Sequence, residues 1–384
     1  MIFQLLKPLD LDFLNFVDGL PSQSLGKKVT FFKGGTFEDF DKYQLAIIGV
    51  NDNRGTGSYS EDIVDLSKIR KAFYALYPGN WNTRVIDMGD ITPGDTLDDT
   101  YFLVKSIVAE LLRNKIVPII IGGSQDLTYP MYRAYDEFEQ MVNLVAIDHK
   151  LDLAKEECDV ADSYLSKIIV DEPNNLFNFS NLGYQTYFNS QEEIDLISSL
   201  YFEAYRVGEI ANNLSLAEPV LRDADLVSLD MNVVKSSDSG NFEMFSPNGF
   251  NGREICALAR YSGLSDRVSS FGIFNSNNQS SEALLIGQIL WYFIEGFNFR
   301  YKEYPFVNKE SYFKYIVPIE GYDELIFYKS DVSGRWWIEI LLAANEGKLK
   351  NKKILLPCSQ EDYLQAIQQE VPERWWRMLK KSLV

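Results

Sequence analysis

The hydrophobic pattern divides the chain into short unbroken apolar runs and longer stretches with apolar residues at helical spacing. Residues 45–50, 84–88, 116–121, 143–147, 226–229 and 268–274 read as strands buried on both faces, and 182–187 as a further strand. Between them Ile63, Leu66, Ile69, Phe73 and Leu76 recur at helical spacing. Residues 96–114, 192–209, 215–222, 252–261 and 281–293 also read as helices, with Asp98 and Asp99 favourably placed in the first turn of their helix. Strands alternating with helices predict a parallel sheet covered on both faces, an α/β fold. Three of the apolar runs end in polar clusters: Gly122-Gly123-Ser124-Gln125, Asp148-His149-Lys150-Leu151-Asp152 and Asp230-Met231-Asn232. In an open parallel sheet such strand ends are where ligands bind.

From about residue 300 the pattern changes. Residues 312–318, 324–328 and 336–341 resemble antiparallel strands, with a turn at 331–334. Residues 359–369 and 373–380 read as helices, the first opening on a Ser359-x-x-Asp362 cap. The expected organisation is an N-terminal arm (1–43), an α/β domain (44–299) and a small α+β appendage (300–384). Charge follows the same division. The chain carries a net −18, yet from residue 297 onward 14 Lys+Arg face 12 Asp+Glu, so the acidity lies in the body. An acidic body argues against nucleic acid or an anionic membrane as the main partner. No apolar run approaches the roughly 20 residues that span a bilayer, and the N-terminus lacks a basic, cleavable leader pattern, so a cytoplasmic protein is expected. Cys158, Cys256 and Cys358 are far apart and without CxxC spacing, which predicts free thiols.

The chemistry depends on the three strand-end clusters. The runs IIGV, IIIGGSQD, IDHKLD and SLDMN stand, in order and spacing, where the ureohydrolase family (arginase, agmatinase, formimidoylglutamase) has an apolar strand with a Gly-containing loop, Gly-Gly-Asp-His-Ser, Asp-Ala-His-x-Asp and Ser-x-Asp-x-Asp. The chain resembles that family over about 44–297. The resemblance implies a three-layer α/β/α domain with two manganese ions at the strand ends, where a bridging hydroxide attacks a guanidino or formimino carbon. Carried over residue by residue, the pattern is degenerate. Gln125 stands at the first histidine ligand, Lys150 at the second and Asn232 at an aspartate; Asp148, Asp152 and Asp230 remain. The first metal position would keep Gln125, Asp148, Asp152 and Asp230. That all-oxygen set suits one Mn²⁺, Mg²⁺ or Ca²⁺. The second would keep an ammonium, which repels a cation.

Three further expectations follow. The Lys150 ammonium should occupy the second metal's place against Asp148 and Asp230. His149, the chain's one histidine, should point away from them by strand alternation, into packing. Phe274 aligns where the family has a substrate-binding glutamate, and a core aromatic is the expected role there ahead of a cation–π face. A zinc deacetylase fails on ligand chemistry at Lys150, nucleophilic hydrolysis through Ser124 or a cysteine lacks a nearby histidine base, and Gly122-Gly123 alone is weak evidence of a phosphate loop. Close backbone approach is the preferred reading of the two glycines. The appendage holds four of six tryptophans (Trp336, Trp337, Trp375, Trp376) and two basic clusters, Lys348/Lys350/Lys352/Lys353 and Arg374/Arg377/Lys380/Lys381. These would pack it on the body or meet a protein partner; single-stranded nucleic acid is a poor third. The expectation is therefore a catalytically degenerate ureohydrolase-fold protein that binds a small ligand or a protein partner. The alternative is a formimidoylglutamase- or agmatinase-like hydrolase of linear amidine or guanidino C–N bonds using one metal. The family's trimers and hexamers leave a homo-oligomer open.

Overall fold

The computed structural model describes residues 2–37, 40–57, 64–138, 140–153, 159–242, 246–305, 310–322, 324–342 and 352–381. Among these residues ten strands form one sheet: β1 (Leu6–Lys7), β2 (Thr30–Phe31), β3 (Leu45–Val50), β4 (Val85–Ile91), β5 (Val117–Ile121), β6 (Val142–Ile147), β7 (Leu176–Tyr184), β8 (Glu203–Arg206), β9 (Leu226–Asp230) and β10 (Ser270–Phe274). The order is β1-β4-β3-β5-β10-β9-β6-β7-β8, with β2 beside β4. From β4 to β8 every pairing is parallel, while β1 joins β4 antiparallel. The first 43 residues therefore do more than wrap the body, since they add β1 and β2 to its edge. Strands β3, β5, β6, β9 and β10 are buried at every position, as unbroken apolar runs require under two helical layers. A separate apolar cluster fills each side of the sheet.

Strand order decides where the site lies. β5, β10, β9 and β6 are neighbours at the middle of the sheet, so their carboxyl ends meet. Gly122 and Gly123, directly after β5, have φ of 89° and 78°. A Cβ on either would come within 2.9–3.0 Å of the carbonyl oxygens of Val50 and Asp52. Close backbone approach in a left-handed conformation explains both glycines.

Some expected boundaries need correcting. The helix read over 192–209 spans only Gln191–Ser199; Tyr201 then turns the chain at φ 54°, and β8 follows. β8 takes Glu203, buried, into an ion pair with the appendage, a tertiary partner that local spacing cannot reveal. β7 begins at Leu176, earlier than read, because the polar Asn178, Ser180 and Asn181 are buried and break the apolar signal. Elsewhere the capping boxes at Thr96, Asn251 and Ser359 start their helices, the last as the Ser359-Asp362 spacing predicts. Cys256 and Cys358 are buried free thiols, while Cys158 lies outside the described residues.

The appendage is a four-stranded antiparallel sheet, β11 (Tyr312–Val317), β12 (Leu325–Ser330), β13 (Trp336–Leu342) and β14 (Lys352–Cys358), followed by two helices, Gln360–Ile367 and Glu373–Lys381. β14 is absent from the sequence reading; it is an edge strand, where Pro357 is tolerated. The side chains of Lys348 and Lys350 lie outside the described residues. Arg222 of the body stacks on Trp337 at 4.5 Å and donates to the carbonyls of Trp336 and Cys358 at 3.0 and 3.1 Å. Arg374 of the appendage pairs with Glu203 at 2.8 Å, both side chains buried or nearly so. Burial alone would raise the Glu203 pKa; the Arg374 charge and hydrogen bonds overcome it and lower it. That depressed pKa makes the pair's stabilisation complete above the usual glutamate value of 4.5 and lost as pH falls through the lower folded value. Arg374→Met should cost about 3–5 kcal/mol in urea unfolding at neutral pH, because it strands a buried carboxylate. The cost should shrink in a Glu203→Gln background and below about pH 4.

Candidate functional site

Asp148 follows β6, and Asp230 ends β9, at the centre of the sheet. Both are buried, at 0% and 3% exposure. Asp148 Oδ1 accepts from the Lys150 N–H at 2.9 Å, and Asp230 Oδ1 from the Asn232 N–H at 2.8 Å. These two short loops turn each carboxylate back over its own strand end. Asp152, with φ 51°, brings its carboxyl within hydrogen-bond reach of Asp148. Asp148 Oδ2 and Asp152 Oδ2 are buried and have no donor. A proton shared between the two carboxyls, or a cation between them, would satisfy both.

His149 turns into the site, contrary to the sequence expectation. Its Nδ1 lies 3.1 Å from Asp148 Oδ1 and 3.9 Å from Asp230 Oδ2. Strand alternation does not apply, because β6 ends at Ile147 and residues 148–150 bend. The ring is held edge-on by Phe188 at 5.0 Å. The His149 carbonyl accepts from the Gln185 N–H at 2.9 Å and from Asn189 Nδ2 at 3.2 Å. Among the described residues, Asp148, His149 and Asp230 form the one group of three such side chains whose donor atoms converge, all within 4.8 Å.

Lys150 does not fill the place expected of it. Its ammonium bonds Asp162 at 2.9 Å on the rim, and reaches Asp148 and Asp152 only as longer-range charge. Phe274 is a core aromatic, as expected: it is fully buried among apolar side chains on one side of the sheet. The next residue, Asn275 (φ 54°), enters the site instead. Its Oδ1 accepts from the Gln125 N–H at 3.2 Å, and its side chain bonds Asp230. Gln125 is buried, and its Nε2 reaches the Tyr164 hydroxyl at 3.4 Å. Asn275 and Tyr164 are thus site residues that sequence reasoning missed. The one available signal was that Asn275 is the first polar residue after β10, as Asp148 is after β6.

The electrostatics follow from this crowding. Burial raises the Asp152 pKa, and the neighbouring Asp148 charge raises it further. Burial and Asp148 likewise raise Asp230, to about 7. Burial works against Asp148 too, yet the His149 ring and the Lys150 N–H overcome it, and its pKa is lowered. Burial opposes the His149 imidazolium, but Asp148 and then Asp230 outweigh that and raise its pKa. One carboxylate is therefore kept ionised by the histidine, and two are pushed toward the neutral acid.

A model of the arginase family matches residues 44–277, more than half of the chain. The chain belongs to the arginase family. A formimidoylglutamase from Geobacillus sp. (strain WCH70) is 24% identical over 245 residues, covering 60% of this chain and 73% of the relative. The fold is that of a Trypanosoma cruzi formiminoglutamase solved with Mn²⁺ (TM-score 0.61, 18% identity, 69% of this chain and 97% of that one). It is also that of the formimidoylglutamase of Bacillus subtilis (0.59, 16%, 70% and 96%). The agmatine ureohydrolase of Thermoplasma volcanium has it as well (0.57, 16%, 74% and 97%). The appendage begins beyond the matched span.

The buried, donorless oxygens of Asp148 and Asp152 fit a divalent cation at this arginase-family site. Asp152→Asn should therefore stabilise chelator-treated protein by about 1 kcal/mol, the scale found when a strained active-site group is relieved. The same change should reduce the rise in melting temperature on adding Mn²⁺, read by scanning calorimetry.

Proposed function

We propose that this chain hydrolyses linear amidine or guanidino C–N bonds with the help of one divalent cation. One observation carries the reading: Asp148 and Asp230 converge in a buried centre, with the Asp152 carboxyl within hydrogen-bond reach of Asp148. Asp148 and Asp230 would hold the cation, with Asp152 and Gln125 beside them. When bound, a divalent ion there supplies Lewis-acid activation of water. Over the reaction a C–O bond forms from water, the C–N bond breaks, and the departing amine takes up the proton, leaving urea or formamide.

The chain's own residues supply binding and orientation. Asn275 and the Lys150 and Asn232 N–H groups fix the carboxylates. Tyr187 and Phe188, with rings 4.7 Å apart, are 66% and 46% exposed beside His149. They offer aromatic faces to a cationic amidine. Asn248 Nδ2 donates to the Tyr187 hydroxyl at 3.1 Å and to Gln185 Oε1 at 2.9 Å, which fixes that wall.

A second reading rests on the second metal position. Lys150 turns to Asp162 and Asn232 replaces an acid there, which favours a protein that binds a ligand in the cleft, or a partner through the appendage, without turnover. Metal-stripped full-length protein, reloaded with Mn²⁺, separates the two. The hydrolase reading expects formamide or urea from formimidoylglutamate, agmatine or arginine, abolished by Asp148→Ala. Metal uptake without product from any of the three supports the binding reading.

A further inference from the structure

We propose that His149 is a metal ligand through Nδ1, a nitrogen donor displaced by one residue from the position that Lys150 now holds. The inference deepens the proposed function, because it rests on a cation binding at this centre. Three observations carry it. Nδ1 stands 3.1 Å from Asp148 Oδ1 and 3.9 Å from Asp230 Oδ2. Ligands on one ion, at bonds of about 2.0–2.2 Å, are separated by about 3.0–3.5 Å, so the trio needs little adjustment to share a cation. Asp148 has an unpartnered oxygen on a fully buried side chain. The Lys150 ammonium is committed to Asp162, which leaves the centre itself open to a cation.

The ring's placement is built rather than incidental. A ligating histidine needs its ring orientation fixed by groups around it. Phe188 packs edge-on at 5.0 Å, and the His149 carbonyl is held by Gln185 and Asn189. Asn189 Oδ1 also takes the Leu151 N–H at 2.7 Å, and Asn181 Nδ2 donates to the Lys150 carbonyl at 2.7 Å. The 148–151 bend is therefore tied to β7 and the segment after it at several points. A slip that would bring Lys150 inward would break them all.

The chemical consequence is selectivity. Three carboxylates and an amide are all-oxygen donors, which suit Mg²⁺ and Ca²⁺ as well as Mn²⁺. An imidazole nitrogen moves the preference toward Co²⁺ and Zn²⁺. A site with His149 as ligand should therefore bind Co²⁺ and Zn²⁺ and discriminate against Ca²⁺.

The test uses the full chain, stripped by chelator and freed of any affinity tag. Co²⁺ is followed by its visible absorption, and Zn²⁺, Mg²⁺ and Ca²⁺ by competition. Wild type should bind one Co²⁺ per chain. His149→Gln should weaken Co²⁺ at least tenfold while changing Ca²⁺ little, and Lys150→Ala should leave both unaltered. Because His149 is the chain's one histidine, its ¹⁵N imidazole resonances report on this position alone, without any substitution. Zn²⁺ should shift the Nδ1 resonance to a metal-bound value while Nε2 keeps its proton. Equal Co²⁺ affinity in His149→Gln, or an unmoved imidazole in protein shown by dialysis to hold Zn²⁺, overturns the ligand assignment and leaves the cation site standing. Absence of binding of every metal to wild type overturns both.

Discussion

The structure depends on how much negative charge it can keep at the centre of one parallel sheet. The order β5-β10-β9-β6 makes four strand ends converge, and two of the loops that leave them carry carboxylates. Asp148, Asp152 and Asp230 are all 5% exposed or less. Ionised carboxylates so close, out of water, repel strongly enough that some must be neutral or counter-charged. Every tenfold change in an acid's ionisation equilibrium reflects about 1.4 kcal/mol of difference between its two protonation states, so the arrangement is held against a real cost. The surrounding fold bears that cost through unbroken apolar strands and two apolar layers. Protonation of some of these acids, or a counter-charge among them, is what relieves the repulsion.

The appendage shows the opposite solution to buried charge. Glu203 on the outermost strand is also buried, but Arg374 meets it directly, with Tyr205 and Asn178 completing its hydrogen bonds. Its pKa falls instead of rising. Arg222, stacked on Trp337, bonds two appendage carbonyls. One buried acid is closed off by permanent protein partners, whereas the acids at the sheet centre are not. That contrast separates a structural ion pair from a site, although both read as buried carboxylates.

Much of the fold was legible in the sequence because it is written in backbone requirements. Unbroken apolar runs marked most of the central parallel strands, and Gly122-Gly123 marked a close approach that admits no Cβ. What was not legible has a common cause. β8, β14 and the early half of β7 are held by tertiary partners, Arg374, β13 and buried asparagines, rather than by a local pattern. At the site, the identities of Asp148, Asp152 and Asp230 were readable, while side-chain directions were not. Period-two reasoning sent His149 outward and Lys150 inward, and Asn275 went unnoticed. All three positions fall within three residues of a strand end, where the chain bends and alternation stops.

That boundary matters for reading divergent members of an old fold. Aligned motifs compare positions, but a metal or a substrate meets atoms. Here the family's histidine position carries a lysine, and the column comparison gives a lost ligand. Yet a histidine one residue earlier reaches the same two aspartates, because the bend after β6 lets residue 149 turn inward while residue 150 turns to the rim. A one-residue displacement inside a regular strand would move a side chain to the opposite face. Past the strand end it need not. Ligand loss in a degenerate motif is therefore argued safely only inside the strand, and the bend just beyond it has to be judged from geometry.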